Sequence, residues 1–389
     1  MKLAENLTRL GTESAFEVLA RAAALEAQGK PIINLGIGQP DFKTAGHIVE
    51  AAIKALQDGH HGYTPANGIL PLREAVAADF YRRHDVEVDP DCVVVQPGGK
   101  PTMFFCILMF GEPGAEILYP DPGFPIYRSM IEYSGAKPIP ILLREENEFA
   151  FSADEVLGLI NTKTRLIILN SPANPCGGTV PKAEFDKLMD GLLAWPDVAI
   201  LSDEIYSQML YEGREHVSLL HYPEIRDRLI LLDGWSKTYA MTGWRLGCAV
   251  WPKDLTPVAT RLAINCHSCV NAPTQFAGIA ALEGPQDNVI DMVAAFGERR
   301  KVIVKGLNQI EGFRCIDPGG AFYTFPNIEG TGLSAQELQN KLLEEASVAT
   351  VAGTAFGEYG EGYIRFSYAN STEKIVEAME RINNCLAKS

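Results

Sequence analysis

The chain has 389 residues, 47% of them hydrophobic and 21% charged, enough for a large buried core and for more than one domain. With 34 Lys+Arg against 49 Asp+Glu, the formal net charge is −15 at pH 7. That balance disfavours non-specific binding to nucleic acid or anionic membrane, which are polyanions themselves, but leaves room for a small anion held by a local cluster of donors.

The N-terminal MKLAENLTRLGTESAF has no apolar run between a basic start and a cleavage site. No signal peptide is read there, and a cytoplasmic location is expected. HIVEAAIKALQD (47–58) and PLREAVAADFYRRH (71–84) have helical spacing, with Leu72, Val76 and Phe80 on one face. CVVVQ (92–96) reads as a strand leading into Pro97-Gly98-Gly99-Lys100 and a helix. The longest apolar run, FFCILMF (104–110), falls far short of a bilayer crossing. Strand patterns recur at AEILY (115–119), RLIILN (165–170), VAILS (198–202), LILLD (229–233) and LGCAVW (246–251). They are continuous apolar runs rather than alternating ones, which predicts an α/β domain with a mostly parallel central sheet covered on both faces.

After about residue 285 the texture changes. A helical segment (287–309) leads to FRCI, AFYTF and YIRFSY, with helices at 334–345 and 371–386, which reads as a smaller α+β domain. The expected division is a large domain over 47–285, a small C-terminal domain over 286–389, and an N-terminal segment, 1–46, joining the small one. The eight cysteines are scattered and read as small core residues of a reduced, cytosolic protein. Cys266-His267-Ser268-Cys269 has no second ligand pair after it, so it is read as packing and no metal is expected.

Ligands of an open parallel sheet bind beyond the carboxyl ends of its strands. Those ends here deliver PGGK, PDPGFPIY, SPANPCGG, DEIY and DGWSKTYAMTGWRLG. Gly98 and Gly99 at a helix start present bare N–H groups to a phosphate, and Arg245 suits the same phosphate as a bidentate donor. Asp203 suits a protonated ring nitrogen, Tyr206 and Asn174 a ring hydroxyl, and Lys237 an aldehyde with which it forms an imine. A phosphate, an aldehyde, a phenolic oxygen and a basic ring nitrogen together describe pyridoxal 5'-phosphate. Taken singly, each residue has an ordinary reading: a solvated lysine, core aromatics at Tyr206 and Phe124, a helix-capping Asp203, a structural Arg365.

SKTYAMTGWRLG, NSPANPCGG, SDEIY, GIGQPDF, GYTPANG and YIRFSY together resemble the class I/II aminotransferases of the aspartate-aminotransferase fold, from about Gly11 to Asn384. The resemblance implies Lys237 as the lysine that carries the cofactor and as the catalytic base. It implies Asp203 as partner of the ring nitrogen, Tyr206 and Asn174 on the ring hydroxyl, and Arg245, Gly99 and Lys100 around the cofactor. Phe124 matches the aromatic that stacks on the ring. Gly38 and Arg365 would bind the substrate α-carboxylate, with Phe124 and Asn174 beside them. Tyr63 would reach the phosphate of a neighbouring subunit, which implies a homodimer with shared sites. Two positions depart from the pattern. Gly234 stands where the family often has Ser, so Ser236 is the candidate replacement for that hydroxyl, and Cys176 stands in place of Thr.

The implied activity moves the amino group of an L-amino acid to a 2-oxo acid in ping-pong half-reactions. The rivals are a lyase, decarboxylase or cyclase on the same scaffold, a nicotinamide dehydrogenase, and a non-catalytic regulator. The dehydrogenase is disfavoured because neither Gly36-Ile37-Gly38 nor Pro97-Gly98-Gly99 completes G-x-G-x-x-G. For specificity, Lys100 matches a lysine that contacts the distal carboxylate of acidic donors in one bacterial branch. Glu13 and Ala15 fall where that branch offers small hydroxyl residues. An acidic, aspartate-like donor is expected, with aromatic, neutral or basic donors as the alternative.

Overall fold

The computed structural model describes residues 1–11 and 14–387, apart from the side chains of residues 14–16. Glu13 therefore lies outside the described residues, as does the side chain of Ala15. After β1 (Ile33–Asn34) the chain builds a seven-stranded sheet from β2 (Val93–Gln96), β3 (Glu116–Asp121), β4 (Lys137–Leu142), β5 (Thr164–Asn170), β6 (Ala199–Asp203), β7 (Leu229–Gly234) and β8 (Gly247–Val250). The spatial order is β2-β8-β7-β6-β5-β3-β4. Pairings from β4 through β7 are parallel, and β8 runs antiparallel to both β7 and β2. The carboxyl ends of β2, β3, β5, β6 and β7 thus share one edge, and β8 starts from that edge.

Apolar side chains leave these strands alternately toward two cores. Val93, Val95, Ile167, Leu169, Ile200 and Leu231 pack with Leu72, Val76, Phe80 and Ala277 from the helices Leu70–His84 and Ala272–Glu283. Val94, Leu166, Ile168, Leu201, Ile230 and Leu232 face the helices Lys100–Phe110, Ile126–Ser134 and Thr256–His267. Being covered on both faces is why the strand sequences are apolar without alternation. The expected helical face of Leu72, Val76 and Phe80 is buried as a unit.

A third core gathers Ile33, Leu35, Phe296, Phe322, Tyr323, Leu338, Phe366 and Ile375. Around it lie β9 (Tyr323–Thr324), β10 (Val348–Ala349), β11 (Val351–Ala352) and β12 (Ile364–Ser367). β12 sits between β11 and β9 with antiparallel pairing, and β1 pairs in parallel with β10. The helix Ala335–Glu344 begins with a reciprocal capping box, Ser334 with Glu337, which holds two of its otherwise unpaired N–H groups.

Three readings need correction. KPIPIL lacks the strand pattern of the other runs, yet it forms β4. Pro138 and Pro140 remove ladder donors and are tolerated because β4 lies at the edge of the sheet. FRCI contributes only a single bridge, Arg314 to Asn327, instead of a strand. The cysteines are not all core residues: Cys106, Cys176, Cys248 and Cys315 are buried, but Cys266 is exposed. Among the described residues no helix is long and apolar enough to cross a membrane.

Candidate active site

A cavity of about 550 Å³ opens at the shared edge of strand ends. Gly38, Gly99, Lys100, Phe124, Asn174, Asp203, Tyr206, Ser236, Lys237, Arg245 and Arg365 all line it. They come from seven stretches far apart in sequence. Tyr63 does not line the cavity and is 93% exposed.

Lys237 lies in the single helical turn Trp235–Thr238 that follows β7. Its Nζ donates to the Gly38 carbonyl at 2.6 Å and lies 5.8 Å from the centre of the Phe322 ring. That hydrogen bond to Gly38, itself a residue of the cavity lining, holds the ammonium at the cavity rather than in open solvent. Ser236 beside it is buried as well.

Asp203 and Glu204 are adjacent buried carboxylates with opposite surroundings. Asp203, at the end of β6, faces the cavity. Its Oδ2 accepts from the Tyr127 hydroxyl at 2.6 Å and its Oδ1 from the Ile205 N–H at 3.2 Å. Burial outweighs these two donors and pushes its carboxyl up to about 6. Glu204, which also accepts from the Ser202 hydroxyl at 2.9 Å, is penalised by burial, but His216 at 2.7 Å, the Leu219 N–H at 3.0 Å and the nearby His84 overcome it. Its carboxyl is held down to about 2. The under-compensated acid is the one at the cavity, placed to gain from a cation there. Asp203 caps no helix, since a turn rather than a helix follows β6.

Tyr206 and Asn174 flank this carboxylate. The Tyr206 hydroxyl lies 2.8 Å from that of Tyr323, and burial, then the nearby Tyr323, raises its phenol well above the ordinary range. Tyr206 therefore keeps its proton and is available as a donor. Asn174 is held through its N–H, which donates to Asn170 Oδ1 at 3.0 Å. Asn174 Oδ1 accepts from Arg365 Nη1 at 3.0 Å, and Arg365 Nη2 donates to the Gly36 carbonyl at 2.6 Å. The Arg365 guanidinium lies 4.6 Å from the ring centres of both Tyr323 and Phe356. A buried arginine fixed by two acceptors and two ring faces presents a pre-oriented fork for a carboxylate.

Elsewhere on the cavity wall, Gly99 caps the helix Lys100–Phe110; Pro101 has no N–H and the Thr102 N–H donates to the Gly99 carbonyl at 3.1 Å, so the N–H groups of Gly99 and Lys100 make the helix start. Gly98 has φ +90°, and a Cβ there would collide with the Arg245 guanidinium. The absent side chain leaves helix N-terminus and guanidinium side by side, an arrangement suited to an oxyanion. Arg245 donates to the Thr242 carbonyl at 2.8 Å and to the Pro97 carbonyl at 3.3 Å. The same crowding accounts for Gly234. A Cβ at Gly247 would meet Gly98 C at 2.6 Å, and one at Gly234 would meet Gly247 Cα at 3.0 Å. Three backbones stack too closely for a serine side chain without displacement. Cys176 does not line the cavity; it is buried, and burial pushes its thiol up to about 12. Phe124 lines the cavity with Lys100 Nζ 5.5 Å from its ring centre.

Two residues of this constellation escaped the sequence reading. Tyr127, the donor to Asp203, is the second residue of the helix Ile126–Ser134, and Phe124 precedes that helix's N-cap, so no helical spacing links the two; the only available signal was its place in PDPGFPIY after β3. Tyr323 carries no such mark, since an aromatic in AFYTF reads equally well as core.

The family described as "Aminotransferase class I and II" matches residues 30–382. The aspartate aminotransferase of Pyrococcus horikoshii is 39% identical over 386 residues, covering 99% of this chain and 97% of that protein. The aromatic-amino-acid aminotransferase 2 of Thermococcus litoralis is 38% identical over 364 residues, covering 92% and 93%. Among solved structures, the aspartate aminotransferase from Rhizobium meliloti superposes with a TM-score of 0.95 at 33% identity, covering 100% of this chain and 99% of that one. A mostly parallel seven-stranded sheet, a lysine and a carboxylate meeting at its carboxyl edge, and a match over nearly the whole length agree: the chain belongs to the class I and II aminotransferases.

Proposed function

We propose that this aminotransferase uses pyridoxal 5'-phosphate held by Lys237, Asp203, Tyr206, Asn174, Ser236, Arg245, Gly99 and Phe124. The observation that carries the reading is Asp203, a buried carboxylate raised to about 6 and facing the same cavity as Lys237. The donor set fits the cofactor. Gly98 leaves the Arg245 guanidinium and the helix N-terminus open to its phosphate, and Asp203 gains a partner in its ring nitrogen.

When bound, the cofactor supplies a sink for the electron pair left as the donor's Cα–H bond breaks. Arg365 and the Gly38 N–H hold the donor's α-carboxylate, which orients that Cα–H bond. Lys237 Nζ would take the α-proton from the donor's Cα and deliver it to the cofactor carbon that the lysine had occupied, acting as base and then acid. Asp203 would keep the ring nitrogen protonated, and Tyr206 would donate to the ring oxygen. Water would supply the oxygen of the departing 2-oxo acid while the amino nitrogen stays with the cofactor, and the same sequence run backwards on a second 2-oxo acid would complete the transfer.

An aspartate-like donor is favoured, on Lys100 at the cavity wall and on the aspartate aminotransferases among the relatives. The apolar Leu19, Ile37 and Met103, which line the same cavity, favour aromatic or neutral donors as the second reading. The reading includes a cytoplasmic homodimer in which the exposed Tyr63 reaches the partner's phosphate site. It also includes the division into 1–46, 47–285 and 286–389, supported by the separate core around β9–β12.

Screening L-amino acids against pyruvate, 2-oxoglutarate and oxaloacetate, with products identified by mass, tests the reading. Paired formation of a new amino acid and a new 2-oxo acid, fastest with aspartate, is expected. Elimination or decarboxylation products in their place would overturn transamination as the reaction. Within the same assay, Arg365→Ala raises KM for every donor by on the order of 10²-fold, since truncating one side of a buried charge pair costs about 2–5 kcal/mol. A loss confined to one side-chain class would instead assign Arg365 to side-chain recognition.

A further inference from the structure

We propose that Tyr323 is a positioning residue that couples the α-carboxylate clamp to the ring-hydroxyl donor, an inference that rests on the function proposed above. Tyr323 is on β9, opposite Ser367 of β12. Arg365 stands two residues before Ser367, on the same face, which makes it the diagonal neighbour of Tyr323. The ring of Tyr323 lies 4.6 Å from the Arg365 guanidinium, with Phe356 at 4.6 Å also against it. Its hydroxyl reaches on to Tyr206, 2.8 Å away in the turn after β6. The same hydroxyl occupies the space a Cβ would take at position 38, so Gly38 is required for the approach. One side chain thus touches the carboxylate fork, the glycine beside it and the donor to the ring.

Proton counting sets the direction of the Tyr206–Tyr323 bond. A phenol has one proton to give and can also accept. Once Tyr206 donates to the cofactor's ring oxygen its proton is used, so the second bond takes its proton from Tyr323. A hydroxyl that accepts a hydrogen bond is the stronger donor onward, because the bonds polarise one another. Tyr323 therefore strengthens the donation from Tyr206 while its ring fixes the plane of Arg365.

Two variants of the holoenzyme separate the two contributions. Tyr323→Phe keeps the ring and removes the hydroxyl. Tyr323→Leu removes both. The readout is the pH titration of the absorbance of the Lys237-bound cofactor, whose proton is shared between Lys237 Nζ and the ring oxygen. The charged and titratable groups around that position are Asp203 with its donor Tyr127, Tyr206, Tyr323, Arg365, Lys100 and Arg245, and all but the deleted hydroxyl are present in both the parent and the Phe variant. A weaker donor leaves the ring oxygen more basic, so the midpoint in Tyr323→Phe rises by about half a unit, a fraction of one hydrogen bond. Affinity for 2-methylalanine, an amino acid with no α-proton to lose, stays within about twofold in the Phe variant. In Tyr323→Leu it falls by about 3–10-fold as the cation–ring contact is lost. Thermal unfolding confirms that both variants are folded.

A midpoint that is unchanged or falls in Tyr323→Phe overturns the coupling, the latter because it means Tyr206 was donating to Tyr323. Unchanged 2-methylalanine affinity in Tyr323→Leu overturns the clamp contribution. A residue that merely packs would shift the unfolding temperature and leave both readouts alone. If the unaltered protein itself shows no pH-dependent chromophore after reconstitution, the cofactor assignment fails instead, and the two failures are told apart.

Discussion

Replacing Lys237 with alanine is expected to leave a folded protein that no longer exchanges α-deuterium of labelled aspartate with solvent. Lys237, in the turn after β7, lines the cavity, and its Nζ lies 2.6 Å from the Gly38 carbonyl beside the proposed carboxylate site. Arg245 cannot take over as base, because a guanidinium does not give up its proton in a protein. Lys100 Nζ lies 5.5 Å from the centre of the Phe124 ring. The loss should be about 10⁴-fold, the upper range for a positioned general acid–base group. Deuterium wash-out within tenfold of the unaltered rate would mean that another group removes the proton.

The second large effect is expected from Asp203→Asn. The neutral amide still accepts from Tyr127 but cannot hold a proton on a ring nitrogen, so α-proton removal should slow by roughly 10²–10³-fold, the worth of one preorganised charge. Stability should move the other way. In the ligand-free protein, burial raises the Asp203 carboxyl from 3.8 to about 6. A raised carboxyl contributes stability that is fully present below its unfolded value and is lost as pH rises through the folded value. Above about pH 6 the protein therefore bears the cost of a buried, incompletely compensated charge. Ligand-free Asp203→Asn should then unfold at a higher temperature than the parent at pH 8, with the gap narrowing toward pH 4. Cofactor uptake by the parent should weaken as pH falls through 6, and uptake by the variant should not follow that titration. A lower unfolding temperature at pH 8 would show that the Asp203 charge is compensated within the protein itself.

The central sheet was legible because its strands are covered on both faces and so carry unbroken Val, Ile and Leu. β4 was hidden by Pro138 and Pro140, residues that argue against a central strand and are harmless at an edge. β1, β10 and β11 are two residues long, too short to show any period, and exist because the core around Leu35, Val348 and Phe366 holds them together. Of the candidate site, the residues at strand ends could be named in advance since topology fixes where those ends meet. What sequence could not supply was the second layer. The pairing of Tyr127 with Asp203 spans 76 positions and that of Tyr206 with Tyr323 spans 117, and neither residue type distinguishes a donor from a core aromatic. Glycine spacing was readable at Gly98, but the reason for Gly234 emerged only from three backbones in contact.

The central claim is that Lys237 carries the cofactor at the carboxyl edge of the sheet, opposite Asp203. Borohydride reduction of the reconstituted protein followed by peptide mapping tests it most directly. The account predicts one labelled peptide, modified at Lys237, and loss of the visible chromophore on reduction. A label on any other lysine, or a protein that takes up no chromophore at all, would contradict it.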